Sequence, residues 1–392
     1  MKQRLFDLPL TALEAHLQAA HALPRYAARS IWRAALHHRA AAFAQVTSLP
    51  LPARAALDAG FTLRHARVAE RRQAADGTQK YLIELPRADA AAPPLTVESV
   101  LIPHASKRVT LCVSSQAGCS LACSFCATGS RGFSANLSAA DIIEQVLAVA
   151  PRPTNVVFMG QGEPLLNLKA VAAACAVLTS PHGLALPARR VTVSTSGVAP
   201  AIPRLAALAP GVRLALSLHA PDDALRSRLM GINDSYPLRA VFDALREFVA
   251  LRLAAAGGGE DDGGDDDDEG APPRGQRYNG ARRVRVSFEY LLLSGVNDTP
   301  AHAAALARLL TTWVPHARLH SHVNLIPFNA WAGAPAGYLP PLASHVAAFA
   351  RILDGEGLSA TVRTPRGLDV SGACGQLEQA LRKRVPRNLP TY

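Results

Sequence analysis

The stretch Cys119–Cys126, which reads CSLACSFC, decides how the rest of this chain is interpreted. Cysteine thiolates are the usual ligands of iron–sulfur clusters, and each iron of a four-iron cubane takes one further ligand. Three thiols in one short loop can bind three irons and leave the fourth open to chelate a small molecule. We therefore predict that Cys119, Cys123 and Cys126 ligate one [4Fe-4S] cluster.

Two other roles for these cysteines are weaker. A structural zinc site takes four Cys or His ligands, often as two distant CxxC pairs, and this sequence has no second pair. Disulfide frameworks are typical of small secreted domains, whereas this chain has 6 cysteines among 392 residues and no signal-like apolar stretch at its start. The CxxxCxxC spacing instead resembles that of radical S-adenosylmethionine (SAM) enzymes, with zinc as the second interpretation.

Composition indicates a large and basic protein. With 392 residues, 49% of them hydrophobic, the chain can form one large domain and one or two small ones. Its net charge of +11 fits either a nucleic-acid partner or an ordinary soluble basic protein. Because no segment has the length and hydropathy of a membrane span, we expect a soluble protein of the cytoplasm, or of an organelle if the source is eukaryotic.

From residue 105 onward, β-branched apolar runs alternate with amphipathic stretches, which predicts a parallel sheet with helices outside it. The predicted strands are Val109–Ser114, Asn155–Met159, Arg190–Thr195, Arg213–Leu218, Val284–Leu293, His322–Ile326 and Ala360–Arg363. The predicted helices are Ala139–Val149, Leu168–Leu178, Leu238–Leu253, Ala301–Leu310 and Leu342–Leu353. This α/β pattern fits a partial (β/α)₆ barrel, and its periodicity alone also fits a doubly wound sheet.

The chain is predicted to divide into four parts. Residues 1–72 form a small helical RNA-binding module, 73–104 a β extension, 105–375 the core barrel and 376–392 a basic tail. Residues 257–276 combine Gly, Asp, Glu and Pro, which predicts a disordered acidic insertion in the core. Within the first two parts, the predicted elements are helices Thr11–His21, Tyr26–His37 and Pro52–Ala59, and strands Tyr81–Leu85 and Val97–Ile102.

Polar or glycine-rich segments follow several predicted strands. Ligands gather at the carboxyl ends of parallel strands, so these segments predict a shared pocket for SAM. Glycine permits close approach of the backbone to a ligand, and Glu163 can bind a ligand's ammonium group. The segments are Gly160–Pro164, Ser194–Gly197, Ser217–His219 and Phe328-Asn329.

Three cysteines lie outside the cluster loop. Cys374 is flanked by Ala373 and Gly375, which leaves room for it to act as a nucleophile. Cys112 lies at the end of a predicted strand, and the two thiols either meet at the barrel mouth and exchange thiol and disulfide states or are unrelated. Cys175, in an apolar helical stretch, is expected to be a core residue without a chemical role.

Seven short motifs run in order along nearly the whole chain. They are Tyr26–Trp32, Leu111–Cys119, Gly132-Phe133, Gly162–Asn167, Ser194–Val198, Ser217–Pro221 and Ala373–Leu377. Together with the cluster loop, they resemble the RlmN type of radical-SAM RNA adenine methyltransferase. The resemblance implies a radical-SAM partial barrel, a small N-terminal RNA-contacting helical module, and a [4Fe-4S] cluster and SAM as cofactors.

The resemblance also implies a role for each matched residue. Cys374 would take a methyl group from one SAM, and a radical made from a second SAM would remove hydrogen from that methyl group. The methylene radical would add to an adenine ring carbon, Glu98 would accept the proton of that carbon, and Cys112 would attack the Cys374 sulfur to release the methylated base. The residues implied to line the SAM site are Gly162, Glu163, Ser194, Ser217, Leu218, His219 and Asn329.

The implied substrate is carbon 2 of an adenine in 23S ribosomal RNA, with transfer RNA as a second substrate. The implied enzyme is a monomer with a flavodoxin-type electron donor and no membrane partner. Two residues depart from the family pattern: Glu98 is one residue further from Cys112 than usual, and Gln161 replaces a more usual Met.

Three alternatives remain open at this point. The Cfr type of methyltransferase uses the same two cysteines but modifies adenine carbon 8. A noncatalytic RNA-binding protein would keep a metal site for folding and would not depend on Cys374. A glycyl-radical activase, or another radical-SAM enzyme, would need no pairing of Cys112 with Cys374.

Overall fold

The structure is a computed structural model that describes residues 2–87, 92–256, 284–313 and 321–377. These residues form one ten-stranded sheet and two two-stranded sheets, with helices around them. The acidic insertion expected at 257–276 and the basic run from Arg382 to Arg387 lie outside the described residues. What these two segments do stays a prediction.

Fourteen strands are present in the described part of the chain. In chain order they are β1 Gln3–Arg4, β2 Phe61–Thr62, β3 Arg67–Gln73, β4 Gln79–Leu85, β5 Leu95–Pro103, β6 Val109–Cys112, β7 Gln116–Gly118, β8 Phe133–Asn136, β9 Asn155–Phe158, β10 Val191–Thr195, β11 Arg213–Ser217, β12 Val286–Leu292, β13 Ser321–Pro327 and β14 Ser359–Val362.

The large sheet has the strand order β14-β13-β12-β11-β10-β9-β6-β5-β4-β3. Every neighbouring pair from β6 to β14 is parallel, whereas β3, β4, β5 and β6 pair antiparallel. The parallel strands follow one another in chain order, without the reversal that defines a doubly wound sheet. This order decides between the two predicted architectures in favour of the barrel.

The sheet is rolled, because the chain that leaves one edge strand contacts the other edge. Gly367, five residues after the end of β14, donates its N–H to Asp76 Oδ2 at 3.0 Å in the turn between β3 and β4. In the same turn, Ala75 N–H donates to Asp369 Oδ2 at 3.0 Å. Five extended residues span at most about 17 Å. The C-terminal segment therefore closes the open side of the partial barrel.

Helices lie between the parallel strands of the core and also in the N-terminal part of the chain, before the large sheet begins. They are α1 Leu10–His21, α2 Tyr26–Leu36, α3 Leu51–Gly60, α4 Ala139–Ala148, α5 Leu168–Thr179, α6 Ile202–Leu208, α7 Asp223–Leu229, α8 Ile232–Ser235, α9 Leu238–Ala256, α10 Pro300–Trp313 and α11 Ala343–Gly355. No helix in the described residues is long and apolar enough to cross a membrane.

The predicted strands and helices of the core are all present, with ends within three residues of the predicted ones. The elements that the sequence pattern missed are β1, β2, β3, the β7–β8 pair, α6, α7 and α8. Strand β3 reads RVAERRQ and is largely exposed, as expected for an edge strand protected by charge. Helix α6 has only seven residues and begins with a proline in its first turn, so it shows little periodicity.

The three helices predicted within residues 1–72 are present as α1, α2 and α3. Arg25, Arg29 and Arg33 are exposed, and Arg29 Nε lies 3.0 Å from Glu14 Oε1. The boundary expected at residue 72 falls inside β3, which pairs with β4 in the large sheet. The four-part division and the RNA-binding role of the first part stay predictions.

Side chains alternate between the two faces of the parallel strands, as the period of a strand requires. Those that face the helices are apolar and buried in one continuous core; examples are Leu111, Val156, Val193, Leu216, Phe288 and Leu325. Those that face the barrel interior are mostly polar; examples are Cys112, Thr192, Ser194, Ser287, Glu289, His322, Asn324 and Thr361. The barrel interior is therefore built to hold polar groups.

Cys175 is buried in α5 with 1% of its surface exposed, and it belongs to the core that joins the helices to the sheet. We predict that Cys175→Ala lowers the free energy of unfolding by about 1 kcal/mol, as for other small deletions in a core. Iron content per chain after anaerobic reconstitution should stay unchanged. Cys123→Ala is the matched comparison, and equal iron loss in both variants would contradict this assignment.

Candidate active site

The three clustered cysteines lie in the loop between β7 and β8 at the mouth of the barrel. The loop begins at Gly118, whose φ of 77° is in the left-handed region and whose added Cβ would lie 2.0 Å from the Gly132 carbonyl oxygen. Cys119 N–H donates to that same oxygen at 2.9 Å. Only glycine fits at position 118, because any side chain would push the two ends of the loop apart.

The three thiols are partly buried and interact electrostatically. Burial raises the pKa of Cys119 to about 11. Burial also raises the pKa of Cys123, and the charges of Cys126 and Cys119 raise it further. Thiolates crowded in this way are stable only with a nearby positive charge, which a bound metal centre supplies.

Cys374 lies in a turn that is held against the cluster loop. Ala127 N–H donates to the Gly375 carbonyl at 2.9 Å, and Asn329 Nδ2 donates to the Cys374 carbonyl at 3.5 Å. Two further hydrogen bonds hold the turn, Thr128 Oγ1 to the Leu377 carbonyl at 3.0 Å and Gln376 Nε2 to the Ala330 carbonyl at 2.7 Å. The cluster loop and the Cys374 turn, which are distant in the sequence, therefore lie side by side at the mouth of the barrel.

The Cys374 side chain is exposed to solvent, although protein surrounds it on most sides. This surrounding protein raises the pKa of Cys374, the Arg363 guanidinium lowers it, and the Glu289 carboxylate raises it. Arg363 and Glu289 lie on neighbouring parts of the inward face, on either side of β13. The thiol therefore combines accessibility with a nearby cation that stabilises its anionic form.

Cys112 ends β6 and faces the barrel interior. Burial raises the pKa of Cys112, and the charge of Cys374 raises it further, so the two sulfurs lie within electrostatic range of each other. All six cysteines of the chain are free thiols, and no disulfide joins Cys112 to Cys374 in this structure. Of the two relations predicted for this pair, the structure favours the meeting at the mouth.

Glu98 faces the same interior as Cys112. Val100 of β5 pairs with Cys112 of β6, and Glu98 precedes Val100 by two residues, so all three side chains lie on one face. Strands β5 and β6 pair without a bulge from Val100 to Pro103. The turn at 104–108 joins the two strands, and this register keeps Glu98 and Cys112 on the same face of the sheet.

The Glu98 side chain is fully buried, with 0% of its surface exposed. Its Oε1 lies 2.7 Å from Lys80 Nζ in an ion pair, and neither carboxylate oxygen has a hydrogen bond of normal geometry within the described residues. Burial raises the pKa of Glu98 to about 7, against the opposing charges of Lys80, Arg72 and Arg131. A carboxyl group with this pKa and one free oxygen is suited to accept a proton near neutral pH.

The exit of β9 forms a tight turn around Glu163. Both of its carboxylate oxygens accept backbone N–H groups, Oε1 from Leu165 at 3.0 Å and Oε2 from Ser196 at 2.7 Å. Burial raises the pKa of Glu163, while these two hydrogen bonds lower it. Hydrogen bonds from the Thr195 and Ser196 side chains lower its pKa as well, and a carboxylate at this position can pair with a ligand's ammonium group.

His219 ends the exit of β11 in a left-handed conformation, with φ of 60°. Its Nδ1 accepts the Leu291 N–H at 3.0 Å, so the proton of the neutral ring lies on Nε2. Burial and the charge of Arg226 lower the pKa of His219 to about 3. The ring packs edge-on against Phe125 of the cluster loop, with 4.9 Å between centroids. A neutral His219 thus connects the cluster loop to the exit of β11.

Comparisons with known proteins agree with this geometry. Residues 113–259 match the Radical SAM superfamily. The chain is 38% identical to the probable dual-specificity RNA methyltransferase RlmN of Gemmatimonas aurantiaca over 97% of this chain and 92% of that protein. It is also 38% identical to the dual-specificity RNA methyltransferase RlmN of Hyphomonas neptunium, over 96% and 90% respectively. This chain belongs to the RlmN family of radical-SAM RNA methyltransferases.

A solved structure confirms the fold of this RlmN-family enzyme. The crystal structure of a radical SAM methyltransferase from Sphaerobacter thermophilus has a TM-score of 0.80 and 39% sequence identity, and the match covers 96% of this chain and 99% of that one. The predicted radical-SAM barrel and the predicted enzymatic class are therefore correct.

Radical-SAM enzymes use a [4Fe-4S] cluster and SAM, and the residues of this RlmN-family chain fit both. The thiols of Cys119, Cys123 and Cys126 interact electrostatically. Within the described residues, however, no three Cys, His, Asp or Glu side chains converge on a point that would hold a single metal ion. The CxxxCxxC spacing of the three cysteines suits a cubane, whose irons take one thiolate each.

Arg226 is a site residue that the sequence did not reveal. It is fully buried, and its guanidinium donates to the carbonyls of Ser196 at 2.6 Å, Ser217 at 3.1 Å and Leu218 at 3.2 Å. Burial lowers the pKa of Arg226 to about 10, so it stays charged. The side chain thereby joins the segments that follow β10 and β11. The helix around it reads DALRSRL, which is rich in charged residues, so the sequence alone predicts an exposed side chain.

Gly162 gives a test of the SAM pocket. Its φ is 95°, and an added Cβ would lie 2.4 Å from Gln116 Cβ. We predict that Gly162→Ala weakens SAM binding at least about tenfold, because the overpacked turn must move, while iron content is retained. Gly295→Ala is the control, since its φ of 69° is similar but nothing lies within 4 Å of the added Cβ. Equal SAM affinity of the two variants, measured by calorimetry on anaerobic holoenzyme, would contradict the assignment.

Proposed function

We propose that this enzyme methylates carbon 2 of an adenine in 23S ribosomal RNA, and of an adenine in transfer RNA, through a covalent protein–RNA intermediate. The observation that carries the proposal is the meeting of Cys112, Cys374 and Glu98 beside the cluster loop. Simple displacement cannot methylate this position, since an aromatic C–H is neither acidic nor nucleophilic. The names of its relatives, which describe dual-specificity RNA methyltransferases, support an RNA substrate of two kinds.

The cofactors would be held by the residues at the barrel mouth. Cys119, Cys123 and Cys126 bind the cluster, and together the cluster and SAM supply a 5′-deoxyadenosyl radical after one-electron reduction. The residues proposed to line the SAM site are Gly162, Glu163, Ser194, Ser217, Leu218, His219 and Asn329. Glu163 orients the amino group of SAM, and the neutral His219 offers its Nε2–H as a hydrogen-bond donor.

Cys374 carries the methyl group. Its thiolate displaces the methyl group from one SAM, so that a sulfur–carbon bond forms as the sulfonium–methyl bond breaks and S-adenosylhomocysteine leaves. Arg363 favours this step because its charge stabilises the thiolate. Removal of one hydrogen atom from the methyl group then leaves a carbon radical on the Cys374 sulfur, and that carbon bonds to the adenine ring.

Glu98 and Cys112 complete the reaction. The ring carbon loses its hydrogen as a proton, which the Glu98 carboxylate accepts, and one electron, which passes to a one-electron acceptor; a bound iron–sulfur cluster in its oxidised state would supply such an acceptor. The Cys112 thiolate then attacks the Cys374 sulfur and breaks its bond to the new carbon, which takes up a proton to become the methyl group. The resulting disulfide is transient and must be reduced before the next turnover.

The choice of carbon 2 over carbon 8 rests on Glu98 and on the N-terminal helices. A buried carboxylate with a free oxygen on the face of Cys112 is placed to accept a ring proton. The exposed arginines of α2 add a basic surface beside the core, which suits a large folded RNA. We further propose that the enzyme acts as a cytoplasmic monomer with a flavodoxin-type electron donor.

The identity of the methylated nucleoside distinguishes methylation of adenine carbon 2 from methylation of carbon 8. After anaerobic incubation of reconstituted enzyme with unmodified 23S RNA, SAM and reductant, nucleoside mass spectrometry should show 2-methyladenosine. Formation of 8-methyladenosine would instead assign the enzyme to the Cfr type. Cleavage of SAM without either nucleoside would contradict the proposed RNA substrate.

Removal of the methyl carrier should separate cofactor binding from methyl transfer. We predict that Cys374→Ala retains iron and SAM binding but forms no methylated RNA, because the sulfur that carries the methyl group is absent. Cys175→Ala is the matched control and should methylate RNA at the rate of the unmodified chain. Normal methylation by Cys374→Ala would contradict the covalent route.

Product formation should depend on pH through Glu98. The carboxylate is the active form, and its pKa of about 7 means that it is protonated at lower pH. With enzyme already methylated on Cys374, the single-turnover rate should be about tenfold lower at pH 6 than at pH 8. Glu98→Gln should form almost no product at either pH, whereas the surface variant Glu247→Gln, on the exposed side of α9, should keep the normal profile. A flat profile for the unmodified enzyme would exclude Glu98 as the proton acceptor.

A further inference from the structure

Lys80 occupies a position that links two parts of the active site. It lies on β4 with 7% of its surface exposed. Lys80 pairs with Val100, and Leu82 pairs with Glu98, so Lys80 and Glu98 are diagonal neighbours on the inward face of the antiparallel pair. Their charged groups lie 2.7 Å apart. The ion pair is therefore fixed by strand register rather than by flexible surface side chains.

The same ammonium group also reaches the turn that carries Cys374. Lys80 Nζ donates to the Ser371 carbonyl at 3.1 Å, and Ser371 precedes Cys374 by three residues. Ser371 has φ of 51°, a conformation that non-glycine residues seldom adopt. One nitrogen thus connects the Glu98 carboxylate on the sheet to a constrained backbone carbonyl beside the methyl carrier.

The charges around Glu98 give this contact a functional meaning. The charged groups that face the carboxylate are Lys80 on β4, Arg72 on β3 and Arg131 after the cluster loop. Of these, only Lys80 is buried; Arg72 and Arg131 are exposed and are screened by solvent. A fully buried carboxylate without a close cation would be protonated at neutral pH, and a protonated Glu98 cannot accept the adenine proton.

We propose that Lys80 is a positioning residue that keeps Glu98 ionised and ties it to the Cys374 turn. The proton acceptor and the methyl carrier would then be held at a fixed separation from each other. This inference rests on the proposed function, because it assigns Lys80 through the role of Glu98. Neither the sequence motifs nor the arrangement of the cysteines indicated a role for Lys80.

The test compares two substitutions at Lys80 by single-turnover product formation. Lys80→Met removes the charge, and Lys80→Arg keeps a permanent charge. Loss of a close cation raises the pKa of a carboxyl group by about one unit or more, so Lys80→Met should lower the rate at pH 7 by about fivefold or more. Its profile should move upward by about one pH unit or more, while Lys80→Arg should keep the midpoint near that of the unmodified enzyme.

Two further readouts separate this inference from the proposed function. Methylation of Cys374 in the absence of RNA, measured by peptide mass spectrometry, does not involve Glu98 and should survive in Lys80→Met. The surface variant Lys169→Met should match the unmodified enzyme in every readout. If Glu98→Gln remained fully active, the proton acceptor itself would be wrong, whatever Lys80 does.

A normal rate and pH midpoint for Lys80→Met, with Glu98→Gln inactive, would overturn the role of Lys80 alone. If Lys80→Met does not fold, the pH midpoint of Lys80→Arg still tests whether the charge at position 80 sets the ionisation of Glu98. A midpoint raised by a full unit in Lys80→Arg would show that charge at this position does not set the ionisation of Glu98. An unchanged midpoint together with intact Cys374 methylation is the result that the inference requires.

Discussion

The hydrogen bond from Ala127 N–H to the Gly375 carbonyl, 2.9 Å long, joins the cluster loop to the turn that carries Cys374. The proposed chemistry depends on this contact, because a short-lived carbon radical is useful only if its precursor is held beside the group that generates the radical. Thr128 reinforces the contact with a hydrogen bond to the Leu377 carbonyl. On the opposite side, the turn is held by the hairpin of β3 and β4 through Asp76 and Lys80.

The barrel supports this arrangement by separating apolar and polar side chains across one sheet. The outward face forms the core with the helices, whereas the inward face carries ionisable groups such as Glu98, Glu289 and Cys112. Buried ionisable groups destabilise a fold unless they have partners. Glu289 accepts a hydrogen bond from Asn324 at 2.7 Å, and Arg226 donates to three backbone carbonyls. The unpartnered oxygen of Glu98 stands out against this background.

Much of this architecture could be predicted from the sequence. The parallel strands of the core read as β-branched runs because most of their outward residues are apolar and buried, and CSLACSFC indicates the cluster loop by local spacing alone. Cys112 and Cys374 could be singled out as reactive candidates, and the family resemblance implied that they react with each other, but their spacing in the sequence left open whether they meet. Their approach depends on the rolling of the sheet and on the C-terminal segment that crosses its open side, both of which are long-range features.

The residues that escaped prediction share a physical reason. Arg226 and Lys80 are charged and lie in polar stretches, so their types predict exposure, yet both are buried because backbone carbonyls or a carboxylate accept their hydrogen bonds. Strand β3 was missed because charged side chains on an edge strand hide its periodicity. For Lys80 the Ser371 carbonyl lies far away in sequence, so only the fold reveals that contact.

The central claim is that Cys374 bonds covalently to RNA and that Cys112 releases it. The most direct measurement is peptide mapping by mass spectrometry of a Cys112→Ala variant after anaerobic incubation with SAM, reductant and RNA. If Cys112 is the releasing thiol, we expect a stable adduct between an adenosine and the Cys374 peptide, at up to one adduct per chain. Repeated turnover by Cys112→Ala without an adduct, or an adduct on another residue, would contradict it.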